Sequence, residues 1–364
     1  MPLNDVDLLR RLVAIDSTSA LSNLPIADFI ANYLDAPSTE YLPDDDKANL
    51  LIRFGPDADG GLILSGHMDA VPAKETNWDS DPFVLTERDD RYVGRGAADM
   101  KGFLAVAMNA ALDAPPLRAP LYLLFTYDEE VGTLGAKQFA RTYRSPLPKR
   151  CIIGEPTSFR AVRAHKGHLK LRVSTFGRSA HSGYPHLGDN AIEKIRPALD
   201  GLTDLRRELE AETTEHHELF ADAPYVPLNI ATIRGGTAVN IVPDRCDLDI
   251  GIRLLPGMKA EDMVERVKQA VGDLAVEVLS NSPPLLTSQD SELYQAVLPH
   301  ANRNGMESVS FASDAGWLQT MGIECLLFGP GAIEVAHKAN EFTPKDEFHR
   351  AGGILRQLIA RFCA

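Results

Sequence analysis

Cysteine is scarce in this chain. Only four occur in 364 residues, Cys151, Cys246, Cys325 and Cys363, and none forms a CxxC pair. That spacing argues against a thiolate metal site and a disulfide framework, and for a reduced, cytoplasmic setting. No apolar run approaches the roughly 20 residues needed to span a bilayer. The first residues, MPLNDVDLLRRLVAIDST, lack a basic segment followed by an apolar one, so they read as an amphipathic helix and not as a secretion signal. Positive charge is also in deficit. The 37 Lys and Arg stand against 51 Asp and Glu, for a net charge of −14, which argues against nonspecific nucleic-acid or anionic-membrane binding. The chain has no internal repeat and no low-complexity tract. What is present is 44% hydrophobic and 24% charged, the make-up of a globular protein, and the length suggests about two domains.

Up to Gly167, helical and strand patterns alternate. Helices are predicted near 5–15, 24–35, 101–112 and 133–143. Strands are predicted at 50–54, 62–66, 121–127 and in CIIGE. Nearly continuous apolar strands between helices indicate an α/β fold whose mostly parallel sheet is covered on both faces. The middle differs. LKLRVSTFG alternates like a half-buried strand, a long helix follows over about 190–212, and then come two strands, a helix over KAEDMVERVKQAVG and the strand LAVEVLS. The order β-α-β-β-α-β is a known compact unit. The α/β pattern resumes with a helix near 291–304, the strand CLLFGPG and a C-terminal helix from 345. The expected organisation is a discontinuous domain, 1–167 and 278–364, with a smaller α+β domain inserted over 168–277.

Five stretches carry candidate metal ligands: LILSGHMDAVP, GRGAADMKG, FTYDEEVG, CIIGEPTS and GPGAIEVAHKANE. In four of them the polar residue comes just past an apolar strand, where open α/β sheets bind ligands. His67, Glu130, Glu155 and His337 could therefore converge, and Asp99, after its glycine-rich turn, could join them. Two imidazoles and three carboxylates suit Zn²⁺, with Co²⁺ or Mn²⁺ as substitutes. One Asp bridging two ions, with two further ligands on each, would give a two-metal site. Asp69, two residues after His67, could accept the free ring N–H and orient that histidine. Taken singly, each residue has an ordinary explanation: a hydrogen-bonded histidine, a helix cap, a turn before proline. The five together favour a site. GRGAAD fails as a dinucleotide fingerprint because Asp99 stands where the third glycine belongs. GRSAHSG lacks the closing glycine of a serine-hydrolase elbow.

Taken in order, SGHMDAVP, GRGAADMKG, DEEVG, GEPTS, RSAHSG and AHKANE resemble the motifs of the aminoacylase and acetylornithine deacetylase family of co-catalytic zinc metallopeptidases, over nearly the whole chain. IIGEPTS, VRAHKGH and RLLPGM resemble the acetylornithine deacetylase branch most. The resemblance implies a zinc-peptidase-like catalytic domain with a ferredoxin-like inserted domain acting as lid and dimerisation module. It implies two Zn²⁺ per subunit, one on His67, Asp99 and Glu155 and the other on Asp99, Glu130 and His337. Glu129 would be the general base acting on a water shared by the ions, and Asp69 would assist at His67. His181 would reach the partner subunit's site and stabilise the oxyanion, while Asn240 and Arg253 would bind the substrate carboxylate. The implied reaction removes the acetyl group from an N-acetyl amino acid, N2-acetyl-L-ornithine first, in arginine biosynthesis. The implied alternatives are a succinyl-diaminopimelate desuccinylase, an acetylcitrulline deacetylase, a general aminoacylase or a dipeptidase. From another class, a non-catalytic metal-binding module is the alternative, and the intact Glu129 argues against it. His165 and His168 read as structural or hinge residues, His216 and His217 stay unassigned, PDDDK reads as a solvated loop, and Asp128 has a loop or supporting role.

Overall fold

A computed structural model describes residues 2–36, 38–302 and 307–364. The chain forms two compact units. The first comprises residues up to Arg163, Thr287–Glu307 and Ser313–Ala364; the second comprises Ala164–Leu286 and Ser308–Ala312.

The first unit is built on a six-stranded sheet with the strands in the order Ser38–Asp44, Lys47–Phe54, Leu121–Thr126, Leu62–His67, Arg150–Ile153 and Glu324–Leu327. The last four run parallel, and the first two form an antiparallel edge. Every residue of Leu62–His67 and Leu121–Thr126 is buried, as expected of central strands covered on both faces. The helix Lys101–Leu112 is buried at all but its last residue, which is why its sequence lacks a polar face. It packs against the helices Asp5–Val13 and Lys345–Cys363. A separate three-stranded sheet joins Thr86–Glu87, Arg91–Val93 and Phe342–Pro344.

The second unit holds a four-stranded antiparallel sheet in the order Leu228–Gly235, Arg245–Ile252, His168–Phe176 and Ala275–Ser282. Its core includes Leu169, Leu171 and Val173 from the sheet, Leu202, Leu205 and Leu209 from one helix, and Met263 and Val267 from another. This is the β-α-β-β-α-β order read from the sequence.

Four features depart from the sequence reading. The unit crosses at Arg163/Ala164 and Leu286/Thr287, outside the expected 168–277 limits, because Ala164–His165 pairs with both Leu285–Leu286 and Ser308–Val309. The helix expected over 190–212 is two helices, Ala191–Lys194 and Arg196–Ala211, since Pro197 supplies no N–H to continue the first. PDDDK is solvated as expected, but as a hairpin turn. Asp44 pairs with Lys47 across a two-residue hairpin turn, which joins the strand Ser38–Asp44, missed in the sequence, to its neighbour. Of the helix expected near 291–304, Glu292–Val297 forms, followed by a short 3-10 turn at Leu298–His300; residues 303 and 304 lie outside the described residues.

Candidate metal centre

The parallel strands of the first unit bring their carboxyl ends together. Leu62–His67 delivers His67 as its last residue. Leu121–Thr126 runs on into Tyr127, Asp128, Glu129 and Glu130. Arg150–Ile153 runs on through Gly154 to Glu155. A Cβ at Gly154 would lie 1.8 Å from the Phe103 ring, so only glycine lets the buried helix pack this closely behind the strand end.

The turn after Thr126 sends its three acids to different partners. Asp128 has a left-handed backbone, φ +49°, and its carboxylate accepts from Lys47 Nζ at 2.7 Å, while the same ammonium donates to the Ser19 carbonyl at 2.7 Å. The backbone N–H groups of Glu129 and Glu130 donate to the two oxygens of Asp69, at 3.1 and 3.3 Å. Ser19 Oγ donates to Asp69 at 2.8 Å. Asp69, fully buried, thus pins the acidic turn beside His67. Toward the imidazole it acts through two oxygens, one of them on the main chain. His67 Nδ1 lies 3.0 Å from the Asp69 main-chain carbonyl and 3.4 Å from its carboxylate, so the carbonyl is the closer partner. With Nδ1–H donated there, the lone pair of Nε2 faces the site.

Asp99 lies between the two histidines. His67 Nε2 is 3.0 Å from Asp99 Oδ1, and His337 Nε2 is 3.4 Å from Asp99 Oδ2. His337 Nε2 is also 2.9 Å from Glu130. Two groups of three residues each place one ligand atom within 4.8 Å of the others: His67, Asp99 and Glu155; and Asp99, Glu130 and His337. Glu155 Oε1 is buried with no hydrogen-bond partner among the described residues, an atom that a cation would satisfy. The mixed nitrogen and oxygen donors fit Zn²⁺, Co²⁺ or Mn²⁺, and three protein ligands per ion leave positions open for water and substrate.

The electrostatics fit a dication as well. Burial, and then the charge of Glu155, push the Glu129 carboxyl well above its usual range. Burial and then Asp99 do the same to Glu155 and push Glu130 up to about 7. Asp99 goes the other way: hydrogen bonds from His337 and His67 outweigh burial and hold it below the usual carboxylate range. His337 is raised to about 10, first by its bond to Asp99 and then by that to Glu130. Bound dications would reverse this pattern, favouring the ionised acids and displacing the imidazole protons. Beneath the site, buried Asp314 accepts from Thr126 Oγ1 at 2.5 Å, and burial pushes its carboxyl up to about 6.

The remaining sequence-predicted residues, His181, Asn240 and Arg253, belong to the second unit. His181 bridges Ile241, and the Ser182 N–H donates to the Asn240 carbonyl at 2.9 Å, so His181 and Asn240 are neighbours. Arg253 is partly buried, and its charge acts on His165, Lys166 and His168. Sequence reasoning missed Lys47, Ser19, Asp314, Arg95 and Glu341. Arg95 and Glu341 stand inside the quoted motifs GRGAADMKG and AHKANE, but nothing in those strings says that they meet.

The pattern that defines peptidase family M20/M25/M40 matches residues 63–361. An acetylornithine deacetylase of Pasteurella multocida (strain Pm70) is 36% identical over 365 residues, 96% of this chain and 94% of that one. The fold is shared with an M20 family metallo-carboxypeptidase of Sulfolobus solfataricus, at a TM-score of 0.80 and 18% identity, covering 98% of this chain and 99% of that one. A dinuclear metal-binding peptidase of the M20 family from Bacillus subtilis shares it at a TM-score of 0.65 and 15% identity, covering 98% and 97%.

Proposed function

Since the chain belongs to peptidase family M20/M25/M40, a hydrolase acting on amides, we propose that it removes the acetyl group from N2-acetyl-L-ornithine, giving ornithine and acetate, as a cytoplasmic step of arginine biosynthesis. The observation that carries the metal-dependent reading is Asp99, with one carboxylate oxygen toward each of two histidine-containing ligand groups. The preference for acetylornithine comes from relatives of that name at about one-third identity over nearly the full chain.

His67, Asp99 and Glu155 would hold one Zn²⁺, and Asp99, Glu130 and His337 the other. The bound ions would supply a water of lowered pKa and polarise the scissile carbonyl. Glu129 takes a proton from the attacking water and delivers one to the nitrogen, which must leave as an amine. Its enclosed, acid-rich setting raises its affinity for that proton. His181 stabilises the oxyanion, and Arg253 and Asn240 hold the α-carboxylate, Arg253 through its planar fork. The second unit serves as lid and dimerisation domain, and the partner subunit of a homodimer receives His181.

The test is an assay of the purified Zn²⁺-loaded protein against acetylornithine, acetylcitrulline, succinyl-diaminopimelate, acetylmethionine and a dipeptide. Acetylornithine is expected to have the highest kcat/KM. A higher value for another substrate moves the assignment within the family, and inactivity on every acetylated amino acid overturns it.

A further inference from the structure

Arg95 is a fully buried arginine in the first unit that the proposed chemistry does not use. Its Nη1 donates to Glu341 at 2.8 Å and toward the Lys338 carbonyl at 3.4 Å. Its Nη2 meets both oxygens of Glu75 at 2.9 Å and the Pro72 carbonyl at 3.3 Å. The Trp78 ring covers the guanidinium, 5.2 Å from its centroid. Glu341 is equally buried. One of its oxygens takes the arginine; the other accepts the backbone N–H groups of Ala98 and Asp99, both at 3.0 Å.

These bonds join three segments distant in sequence. The 72–75 loop follows the strand end that carries His67 and Asp69. The Ala98–Asp99 turn carries the carboxylate between the two ligand groups. The 338–341 stretch follows His337, which itself has a left-handed backbone, φ +61°. A buried carboxylate holding two adjacent N–H groups is a strong, directional anchor, and Arg95 balances its charge so that it adds no unopposed anion beside Asp99. Metal sites tolerate ligand displacements of only about 0.5 Å.

We propose that Arg95 and Glu341 form a positioning clamp that sets Asp99 between two cations and fixes its spacing from His67 and His337. Neither residue touches metal or substrate. The clamp acts through the main chain of Asp99 and the loop of His337, so it governs cation affinity and turnover and leaves substrate binding alone. The inference rests on the metal-centre reading above.

The test uses the full chain, stripped of metal and titrated with Co²⁺, following heat and the visible absorption that reports coordination geometry. Glu341→Ala removes the anchor, Glu341→Gln keeps one acceptor but turns an amide toward Arg95, and Glu75→Gln loosens only the outer end. Glu341→Ala is expected to lower affinity for Co²⁺ by about 10–100-fold, to shift the absorption bands, and to cut kcat by a similar factor with KM within about threefold. Glu341→Gln is expected to give the same changes at smaller size, and Glu75→Gln smaller ones still. If Glu341→Ala does not fold, Glu341→Gln carries the test. Wild-type affinity and an unchanged spectrum in the Glu341 variants overturn the clamp alone. A wild-type chain that takes up no Co²⁺ overturns the metal reading and the clamp with it.

Discussion

Three consecutive acids, Asp128, Glu129 and Glu130, are tolerable because the turn gives each a different surrounding. Asp128 is neutralised by Lys47, Glu130 faces His337, and Glu129 is left in a proton-favouring setting where burial and the charge of Glu155 outweigh that of His67. That division predicts the outcome of Glu129→Gln. The amide keeps the volume but cannot shuttle a proton, so kcat should fall by about 10²–10⁴-fold while two cations remain bound. Metal analysis of the purified variant beside its turnover checks both halves. At this scale the sequence was legible where chemistry identifies a residue by type and strand position, as for His67 and Glu155. It was not legible where a residue acts by pairing. Lys47 finds Asp128 across 81 residues and Arg95 finds Glu341 across 246, and no local pattern encodes such meetings.

At the scale of elements, the strand ends of the first unit owe their position to helix packing. Gly154 admits the Phe103 ring against the backbone that leads to Glu155. Gly154→Ala should overpack this contact and destabilise the protein by about 1–3 kcal/mol, read as a lower midpoint in urea at unchanged slope. Periodicity could find the buried strands and the helix between them, but not this contact, because an invisible side chain leaves no pattern. The short strand Ala164–His165, also missed, carries a pH dependence. Burial first, and then the charge of Arg253, outweigh the hydrogen bond to the Lys166 carbonyl and lower His165 to about 4, and burial with Arg253 and Lys170 lowers His168 to about 3. The unfolded chain therefore binds more protons than the folded one below the ordinary histidine range near 6.5. The stability contributed by these neutral histidines is complete above about pH 6.5 and is lost as the pH falls toward about 4. Urea unfolding at pH 7.5 and pH 5 should show this loss, and His165→Asn should have a shallower dependence.

For the whole molecule, the candidate residues divide between the two units. All five ligand candidates and Glu129 belong to the first, and His181, Asn240 and Arg253 to the second. If His181 serves the partner subunit, His181→Ala and Glu129→Gln should each be nearly inactive alone. Mixing them through unfolding and refolding should restore turnover, because a mixed dimer contains one site with both residues intact. Absence of recovery in demonstrated mixed dimers would rule out service in trans. The sequence by itself determined the α/β class, the β-α-β-β-α-β insertion and the candidate ligand set. Those rest on local periodicity and on side-chain types whose chemistry is the same wherever they stand. Only the tertiary structure decided that Asp69 pins the acidic turn, that Lys47 answers Asp128, that the insertion begins at Ala164, and that Arg95 and Glu341 grip the turn of Asp99. Each of these is a bond between segments far apart in the chain, fixed by how buried strands and helices pack, and packing is a property of the folded whole.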